Sequence, residues 1–466
     1  MYARGVIGYR STAGDGARVA CFREALFAGQ PPDGGLFVPE RVPRLDMAAL
    51  AALDLPGRAR SALAAWLADE LPATALDEIC RDSFDFPVPL VALDARTHIL
   101  ELFHGPTAAF KDFGARFMAR AMARLRAPGR PLVILVATSG DTGAAVAHAF
   151  AGLEATRVVL LYPAGMVSPL QEAQITAAPD NTVCIQVQGT FDDCQAMVKA
   201  ALGDRDLVAR LGLVSANSIN VGRLLPQTVY YLHAALELAG AGGDLAGTGL
   251  ELAGAGGDLA RTGRDLAAAG SPPLVVVPAG NLGNLTAGLI AKRQGAPIRR
   301  FLAANNRNAA LADWVVTGEL RPRPAVPTPS NAMDVGSPSN AARIFDLYAG
   351  DLEALRRDVA VESIDDEATL ETMRRIHQES GRFVCPHTAV ALAALERHRA
   401  SGIDPGPAVV LATAHAAKFE AIVRAATGQA PPPPPSLERL SRALGRPPAR
   451  LPAASAALAA FLSDLG

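Results

Sequence analysis

The feature that most constrains the fold is an alternation of short, strongly apolar runs with longer helical patterns rich in alanine and leucine. From about residue 99 onward the apolar runs are LVILVA, VVLLYP, VCIQVQ, LVVVPA, FLAAN and VVLAT. Buried parallel strands have near-continuous apolar sequences, and helices usually connect them. The sequence therefore predicts an α/β protein with mostly parallel sheets flanked by helices.

Length and composition indicate several structural regions, because 466 residues exceed the size of one typical domain. We predict an N-terminal helical region (1–98), an α/β domain (99–229), a glycine-rich insertion (230–270), a second α/β domain (271–428), and a proline-rich linker with C-terminal helices (429–466). The insertion holds a near-duplication, LELAGAGGDLAGTG from Leu236 and LELAGAGGDLARTG from Leu250. This short, glycine-rich repeat favours a surface insertion over a solenoid. For the PPPPP run we predict a spacer, and a ligand for a proline-recognition domain is the alternative.

Charge and cysteine content exclude several classes of partner. With 44 basic and 46 acidic residues the formal net charge is −2, which favours neither nucleic acid nor an anionic membrane as partner. No apolar run approaches the ~20 residues that cross a bilayer, and MYARGVIGYR at the start lacks the apolar core of a signal peptide. Five cysteines without a CxxC pair fit a reducing compartment. We expect a cytoplasmic protein that acts on a small molecule.

Three of the apolar runs end in residues suited to binding an anion or a heterocycle. LVILVA leads into TSGDTG (138–143), LVVVPA leads into GNLGN (280–284), and VVLAT ends at Thr413, two residues before His415. Glycines allow close backbone approach, and the N-terminus of the following helix offers unpaired N–H groups. Ordinary strand-to-helix turns with Ser and Thr caps are the alternative for each segment taken alone. Together they favour a phosphate-bearing ligand at the carboxyl ends of the strands.

Lys111 is the strongest catalytic candidate. Lysine occurs at only four positions, and this one lies close in sequence to Phe110, Phe113 and Phe117. Partial desolvation among aromatic rings would favour the neutral amine, which attacks carbonyl groups. An amine of this kind together with phosphate-binding turns indicates pyridoxal 5′-phosphate as the cofactor. A lysine that only extends its charge to solvent at the start of a helix is the alternative.

Other common catalytic patterns do not occur in the sequence. No GK[ST] sequence indicates a nucleotide-binding P-loop, and no GxGxxG follows a strand. The eight histidines show neither HExxH nor cysteine partners at ligand spacing, so we expect no metal site. No GxSxG elbow indicates an α/β-hydrolase.

Longer stretches of the sequence resemble one known family. They lie between about residue 9 and residue 425 and include DGGLFVPE (33–40), ELFHGPTAAFKDFGARFM (101–118), ATSGDTGAAVAHAF (137–150), SPLQEAQ (168–174), SANSIN (215–220), SNAMDVGSPSN (330–340) and TAHAAKF (413–419). They resemble threonine synthases, pyridoxal-phosphate enzymes of the tryptophan-synthase β-like fold, also called fold type II. The resemblance implies two open, mostly parallel twisted sheets and a small helical N-terminal region.

The resemblance also implies a reaction and a set of site residues. The family converts O-phospho-L-homoserine and water to L-threonine and phosphate, the last step of threonine biosynthesis, as a lyase that acts on carbon–oxygen bonds of phosphates. By resemblance, Lys111 would carry the cofactor and move protons. The cofactor would also contact Gly280, Asn281, Leu282, Gly283, Asn284 and Thr413. The substrate would contact Ser139, Gly140, Asp141 and Thr142, with its phosphate near His104, Arg116, Asn217 or Arg223. The expected oligomeric state is a monomer or a homodimer.

The sequence departs from the family pattern at several positions. Ala13 stands where an arginine is common, Asn284 replaces a usual acidic residue, Leu282 replaces an aromatic one, and Ala416 replaces a proline. None of these departures removes the lysine. The alternative enzyme is a lyase of the same fold with another substrate, such as a serine or threonine dehydratase or a phospholyase, against which the extended N-terminal region and the HGPTAAFKDFG stretch argue. A third possibility is a scaffold that has kept the fold without catalysis, against which the intact Lys111 argues.

Overall fold

The computed structural model describes residues 7–14, 19–67, 70–127, 129–177, 179–240, 271–402, 406–441 and 445–465. Within these ranges the chain forms two mostly parallel sheets covered by helices, which confirms the predicted fold class. The duplicated insertion predicted for 230–270 lies outside the described residues from 241 onward. In the described ranges, no helix combines the length and the apolar character needed to cross a bilayer.

The larger sheet has six strands in the order β11-β10-β9-β12-β4-β3, and only β3 runs antiparallel to its neighbour. In register, Val276 of β9 lies between Leu302 of β10 and Val410 of β12. Its strands are β3 (Leu90–Ala92), β4 (Thr97–Glu101), β9 (Leu274–Pro278), β10 (Arg300–Asn305), β11 (Val359–Ser363) and β12 (Ala408–Ala412).

The smaller sheet has five parallel strands in the order β13-β7-β6-β5-β8. All six residues of β5 are buried, as expected for a strand covered on both faces. Its strands are β5 (Leu132–Ala137), β6 (Thr156–Pro163), β7 (Thr182–Gln188), β8 (Leu213–Ser215) and β13 (Ala449–Pro452). A separate antiparallel pair consists of β1 (Tyr9–Ser11) and β2 (Phe37–Pro39).

Helices cover both sheets and build the N-terminal region. Those before the first glycine-rich turn are α1 (Phe22–Ala28), α2 (Met47–Ala51), α3 (Leu55–Leu67), α4 (Ala73–Ser83) and α5 (Lys111–Leu125). Those before β9 are α6 (Asp141–Ala149), α7 (Pro169–Thr176), α8 (Phe191–Gly203), α9 (Arg205–Leu211), α10 (Val221–Leu224) and α11 (Thr228–Gly240). The remaining helices are α12 (Gly283–Gln294), α13 (Ala310–Thr317), α14 (Ala341–Leu347), α15 (Leu352–Asp358), α16 (Asp366–Ser380), α17 (Pro386–Ala400), α18 (Glu420–Thr427), α19 (Pro435–Ser441) and α20 (Ser455–Leu465). Short 3₁₀ helices form at Leu225–Gln227, Asn331–Met333 and Ala416–Phe419.

The two ends of the chain pack against the sheets. Trp66 and Phe84 of the N-terminal region belong to the same apolar core as Phe113 of α5. At the other end, β13 extends the five-stranded sheet, and Leu458 and Leu462 of α20 join the core beneath it. The sequence predicted helices for both end regions, and the structure adds the strands β1, β2, β3 and β13 to them.

Candidate active site

A cleft with a cavity volume of about 120 Å³ opens where β5, β9 and β12 end. The carboxyl ends of parallel strands are the usual place for a ligand in α/β proteins. Most of the predicted site residues line this cleft: Lys111, Ser139, Asp141, Thr142, Asn217, Arg223, Gly280, Asn281, Leu282, Gly283, Asn284 and Thr413. The structure thus brings together residues that lie up to 302 positions apart in the chain, from Lys111 to Thr413.

Lys111 is the first residue of α5, and its Nζ lies 4.1 Å from the centre of the Phe110 ring. The backbone N–H of Phe110 donates to the carbonyl oxygen of Thr413 at 2.9 Å, so the lysine is fixed against the end of β12. Burial lowers the pKa of Lys111 to about 8, and the positive charge of Arg223 adds to this, with Asp141 acting in the opposite direction. A larger fraction of the amine is therefore neutral near pH 7 than in an exposed lysine.

The loop before Lys111 is held by the neighbouring aspartate. Asp112 is buried and accepts hydrogen bonds from the backbone N–H of Thr107 at 2.9 Å and from its hydroxyl at 2.8 Å. A side chain at Gly105 would come within 2.5 Å of the same carboxylate. The FKD sequence therefore combines a reactive amine with the residue that fixes the preceding loop.

The GNLGN turn joins β9 to α12 and has an unusual backbone. Leu282 has φ +62°, a left-handed conformation that is uncommon outside glycine. Asn281 anchors the turn, since its Nδ2 donates to Ser218 Oγ at 2.8 Å and its Oδ1 accepts from the Ser339 N–H at 2.6 Å. The first N–H groups of α12 have no partner within the helix, so the turn offers them to an anion.

Asn284 links this turn to two buried tyrosines. Its Oδ1 accepts from the hydroxyls of Tyr230 and Tyr231, the latter at 2.7 Å. An acidic residue at this position could accept the same two bonds. Asn284 differs in having an Nδ2 donor, which is buried and has no hydrogen-bond partner in the described part of the chain.

The TSGDTG turn between β5 and α6 is closed by its own threonine. Thr138 Oγ1 accepts from the N–H groups of Gly140 at 3.0 Å and Gly143 at 2.8 Å. Gly140 has φ +131°, and a side chain there would lie 2.5 Å from Gln171, so only glycine fits this position without strain. Gly140 thus supports the turn without lining the cleft.

Asp141 is ion-paired with a lysine that sequence reasoning had not selected. Its Oδ1 lies 2.9 Å from Nζ of the fully buried Lys418 and accepts from Gln171 Nε2 at 3.0 Å. Burial alone would raise the pKa of Asp141, but the charge of Lys418 and the two hydrogen bonds lower it below its ordinary value. Asp141 is therefore a carboxylate at neutral pH.

Asn217 and Arg223 lie on the wall formed after β8. Asn217 Nδ2 donates to the carbonyl of Ala137 at 2.8 Å, and an Arg223 N–H donates to the carbonyl of Ala216 at 2.6 Å. Burial lowers the pKa of Arg223 to about 10, which still leaves it charged at neutral pH. Its Nε is buried without a partner among the described residues. The cleft therefore has a buried cation beside Lys111.

His104 and Arg116 do not line the cleft. His104 is exposed and its Nε2 lies 2.7 Å from Glu101 Oε2. The Arg116 guanidinium instead binds Asp85 at 2.7 Å beneath the N-terminal region. Both residues come from the helix and loop around Lys111, and nearness in sequence does not bring their side chains to the cleft.

Sequence reasoning also missed residues that do line the cleft. The segment 331–335 covers the GNLGN turn, and a side chain at Gly280 would come within 2.9 Å of the Met333 backbone. His387, at the start of α17, lines the wall next to this segment. In the sequence, only the family resemblance of the stretch SNAMDVGSPSN (330–340) indicated that segment 331–335 belongs to the site. No feature of the sequence indicated His387.

Comparison with protein-family models places this fold and cleft in a class of enzymes. A model described as "Pyridoxal-phosphate dependent enzyme" matches residues 87–414. Two further models, described as "Threonine synthase N terminus" and "Threonine synthase, C-terminal", match residues 8–84 and 388–460. The two sheets and the lysine-bearing cleft are thus those of a pyridoxal-phosphate enzyme of fold type II.

Individual relatives define the family more narrowly. Threonine synthase of Escherichia coli is 40% identical over 412 residues, which cover 88% of each chain. That of Haemophilus influenzae is 41% identical over 419 residues, or 90% of this chain and 91% of the relative. The chain belongs to the threonine synthase family.

Solved structures agree with this assignment. The crystal structure of threonine synthase from E. coli has a TM-score of 0.85 and 37% identity, covering 98% of this chain and 100% of that one. A structure of pyridoxal-phosphate-bound threonine synthase from Brucella melitensis has a TM-score of 0.85 and 32% identity, covering 98% and 99%. A serine racemase from maize has a TM-score of 0.50 and 16% identity, a likeness of fold alone.

Proposed function

We propose that this chain converts O-phospho-L-homoserine and water into L-threonine and phosphate with pyridoxal 5′-phosphate as cofactor. The observation that carries the proposal is the position of Lys111. Its amine, with a pKa lowered to about 8, lines a cleft between two glycine-rich helix starts. Family membership supports the same substrate, since the curated relatives are named threonine synthases.

The cleft residues fit the chemical groups of the cofactor. Lys111 would hold the aldehyde carbon, and the N–H groups of the GNLGN turn (280–284) would take its phosphate. The Thr413 hydroxyl, at the end of β12 and 5% exposed, would contact the pyridine nitrogen. When bound, the cofactor supplies an electron sink for carbanions next to the substrate nitrogen.

The chain's own groups would move the protons and hold the leaving group. Lys111 would take the proton from Cα of the substrate, because its amine is neutral in a large fraction of molecules near pH 8. It would return that proton to the bound molecule and, neutral again, take the proton from Cβ as the phosphate leaves from Cγ. The N–H groups of Ser139, Asp141 and Thr142 in the TSGDTG turn would hold the substrate carboxylate at the start of α6. Arg223 and Asn217 would bind the substrate phosphate and stabilise it as it departs. His104 and Arg116 have no place in this scheme, because neither lines the cleft.

Product analysis tests this proposal against the neighbouring activities of the fold. The purified protein with pyridoxal phosphate should release phosphate and threonine in equal amounts from O-phosphohomoserine. A keto acid as the main product would favour a dehydratase instead. No turnover with any phosphorylated amino acid would favour the non-catalytic scaffold.

The role of Lys111 has its own test. The holoenzyme should show a visible absorbance band that borohydride removes. The Lys111→Ala variant should fold and should lack this band. Lys292→Ala is a matched control, because Lys292 binds Asp358 at 2.6 Å and does not line the cleft. An unchanged band in folded Lys111→Ala would overturn the assignment.

We further propose that the protein acts in the cytoplasm as a monomer or homodimer. All five cysteines are free thiols, which supports a reducing compartment. Cell fractionation tests the location, and light scattering of the purified holoenzyme tests the oligomeric state.

A further inference from the structure

His387 is a buried histidine in the wall of the cleft to which neither sequence nor family comparison gives a role. It is the second residue of α17 and is 3% exposed. Its Nε2 accepts a hydrogen bond from the backbone N–H of Ala332 at 3.2 Å. Its ring packs edge-on against Phe419, with 4.9 Å between the ring centres. These contacts fix the ring in the wall beside the segment that covers the GNLGN turn.

The contacts of His387 determine where its proton lies. Burial lowers the pKa of His387 to about 4, Asp141 opposes this, and Lys111 and Lys418 lower it further. The ring is therefore neutral near pH 7 and carries one proton. Because Nε2 accepts the Ala332 hydrogen bond, that proton is on Nδ1.

The Nδ1–H group has no acceptor in the described part of the chain. A buried donor without a partner costs free energy, and most such groups in native proteins are paired with protein, water or ligand. His387 lines the same cleft as Lys111 and Asp141, where the proposed function places both cofactor and substrate. A molecule bound in this cleft would supply the acceptor that the described residues do not provide.

We propose that His387 donates a hydrogen bond from Nδ1 to an oxygen of the molecule bound in the cleft, which makes it a ligand-binding residue. The proposal rests on the proposed function, because cofactor and substrate both supply phosphate oxygens, and the cofactor adds a ring hydroxyl and the substrate a carboxylate. A neutral donor suits this position. It binds an anionic oxygen without placing another positive charge near Lys111, where such a charge would lower the lysine pKa further.

Two amide substitutions of His387 test the roles of the two ring nitrogens separately. His387→Asn places an amide N–H near the position of Nδ1 and loses the acceptor for Ala332. His387→Gln places its amide oxygen near Nε2, where it can accept the Ala332 N–H, and has no donor at Nδ1. The thermal unfolding temperatures of both variants show whether each one folds.

The measurements distinguish the two sources of the oxygen. The Kd of pyridoxal phosphate for the cofactor-free protein shows whether cofactor binding is weakened. In enzyme saturated with cofactor, KM and kcat for O-phosphohomoserine, measured separately, show whether substrate binding is weakened. We expect His387→Gln to weaken one of these affinities about tenfold. His387→Asn should remain within about threefold of the wild type in the same measurement.

Two results would overturn the proposal. One is wild-type affinity of His387→Gln for both molecules, as expected if Nδ1–H pairs with a water or with the unpartnered Oδ1 of Asn331. The other is a larger loss in His387→Asn than in His387→Gln, as expected if only the Ala332 contact matters. Failure of the wild type to bind pyridoxal phosphate would contradict the proposed function itself, and the two failures are therefore distinguishable.

Discussion

Nζ of Lys418 lies 2.9 Å from Oδ1 of Asp141, and the two side chains are 0% and 5% exposed. Lys418 follows β12 of the six-stranded sheet, and Asp141 begins α6 beside the five-stranded sheet. Nζ of Lys418 also donates to the carbonyl of Thr107 at 2.8 Å, in the loop before Lys111. One buried lysine therefore connects the TSGDTG turn, the loop before Lys111 and the end of β12.

Breaking this ion pair should destabilise the protein strongly. Lys418→Met leaves the Asp141 carboxylate buried without its counter-charge, so we expect a loss of about 3–5 kcal/mol in the free energy of unfolding. Arg424→Met is the matched control, because the Arg424–Glu420 pair is 57% exposed at both ends and should contribute less than about 1 kcal/mol. Denaturant unfolding of both variants provides the comparison. Equal losses would contradict the structural role of Lys418.

The depressed pKa of Lys111 predicts the pH dependence of cofactor uptake. With a pKa of about 8, the neutral amine increases as pH rises through 8, whereas an ordinary lysine would change near 10.5. The rate at which cofactor-free protein develops its visible band should therefore rise between about pH 7 and 9 and then level off. Stopped-flow absorbance measures this rate. A rate that continues to rise to pH 10.5 would show that the amine is not desolvated.

Asn284 should contribute to stability through its acceptor oxygen. Asn284→Leu would remove one hydrogen bond from each of the buried hydroxyls of Tyr230 and Tyr231, which keep Gln227 Oε1 and the backbone carbonyl of residue 284 as acceptors, and we expect a loss of about 1–3 kcal/mol in the free energy of unfolding. Asn284→Asp retains an oxygen for both tyrosines and should lose less than the leucine variant. Thermal and denaturant unfolding of the two variants test this order. The reverse order would mean that the Nδ2 donor matters more than Oδ1.

Substitutions of Arg223 and of His104 should affect catalysis very differently. Arg223→Lys retains the charge but not the planar geometry that binds a phosphate with two N–H groups, and we expect kcat/KM to fall by at least about tenfold. His104→Ala should stay within about threefold, because its side chain binds Glu101 away from the cleft. Steady-state phosphate release measures both variants. A larger loss of kcat/KM in His104→Ala than in Arg223→Lys would contradict the assignment of Arg223, and not His104, to phosphate binding.

The sequence predicted the main strands and the lysine, but not the contacts between distant segments. All six apolar runs form strands, since buried parallel strands leave a strong hydrophobic signal. β8 has only three residues and β13 lies within a proline-rich tail, so neither has that signal. The roles of Lys418 and His387 became visible only in three dimensions, because the side chain of each pairs with a group at least 55 residues away, Ala332 for His387 and Asp141 for Lys418.

β13, which the C-terminal tail adds to the five-stranded sheet, also protects the molecule against self-association. Without β13, the outer N–H and C=O groups of β7 would form an open edge that could pair with another chain. β13 occupies this edge and is itself a poor template, since Pro452 lies within it and Pro447 and Pro448 precede it. A chain shortened at residue 428 would therefore be more prone to aggregation even if its cleft stayed intact.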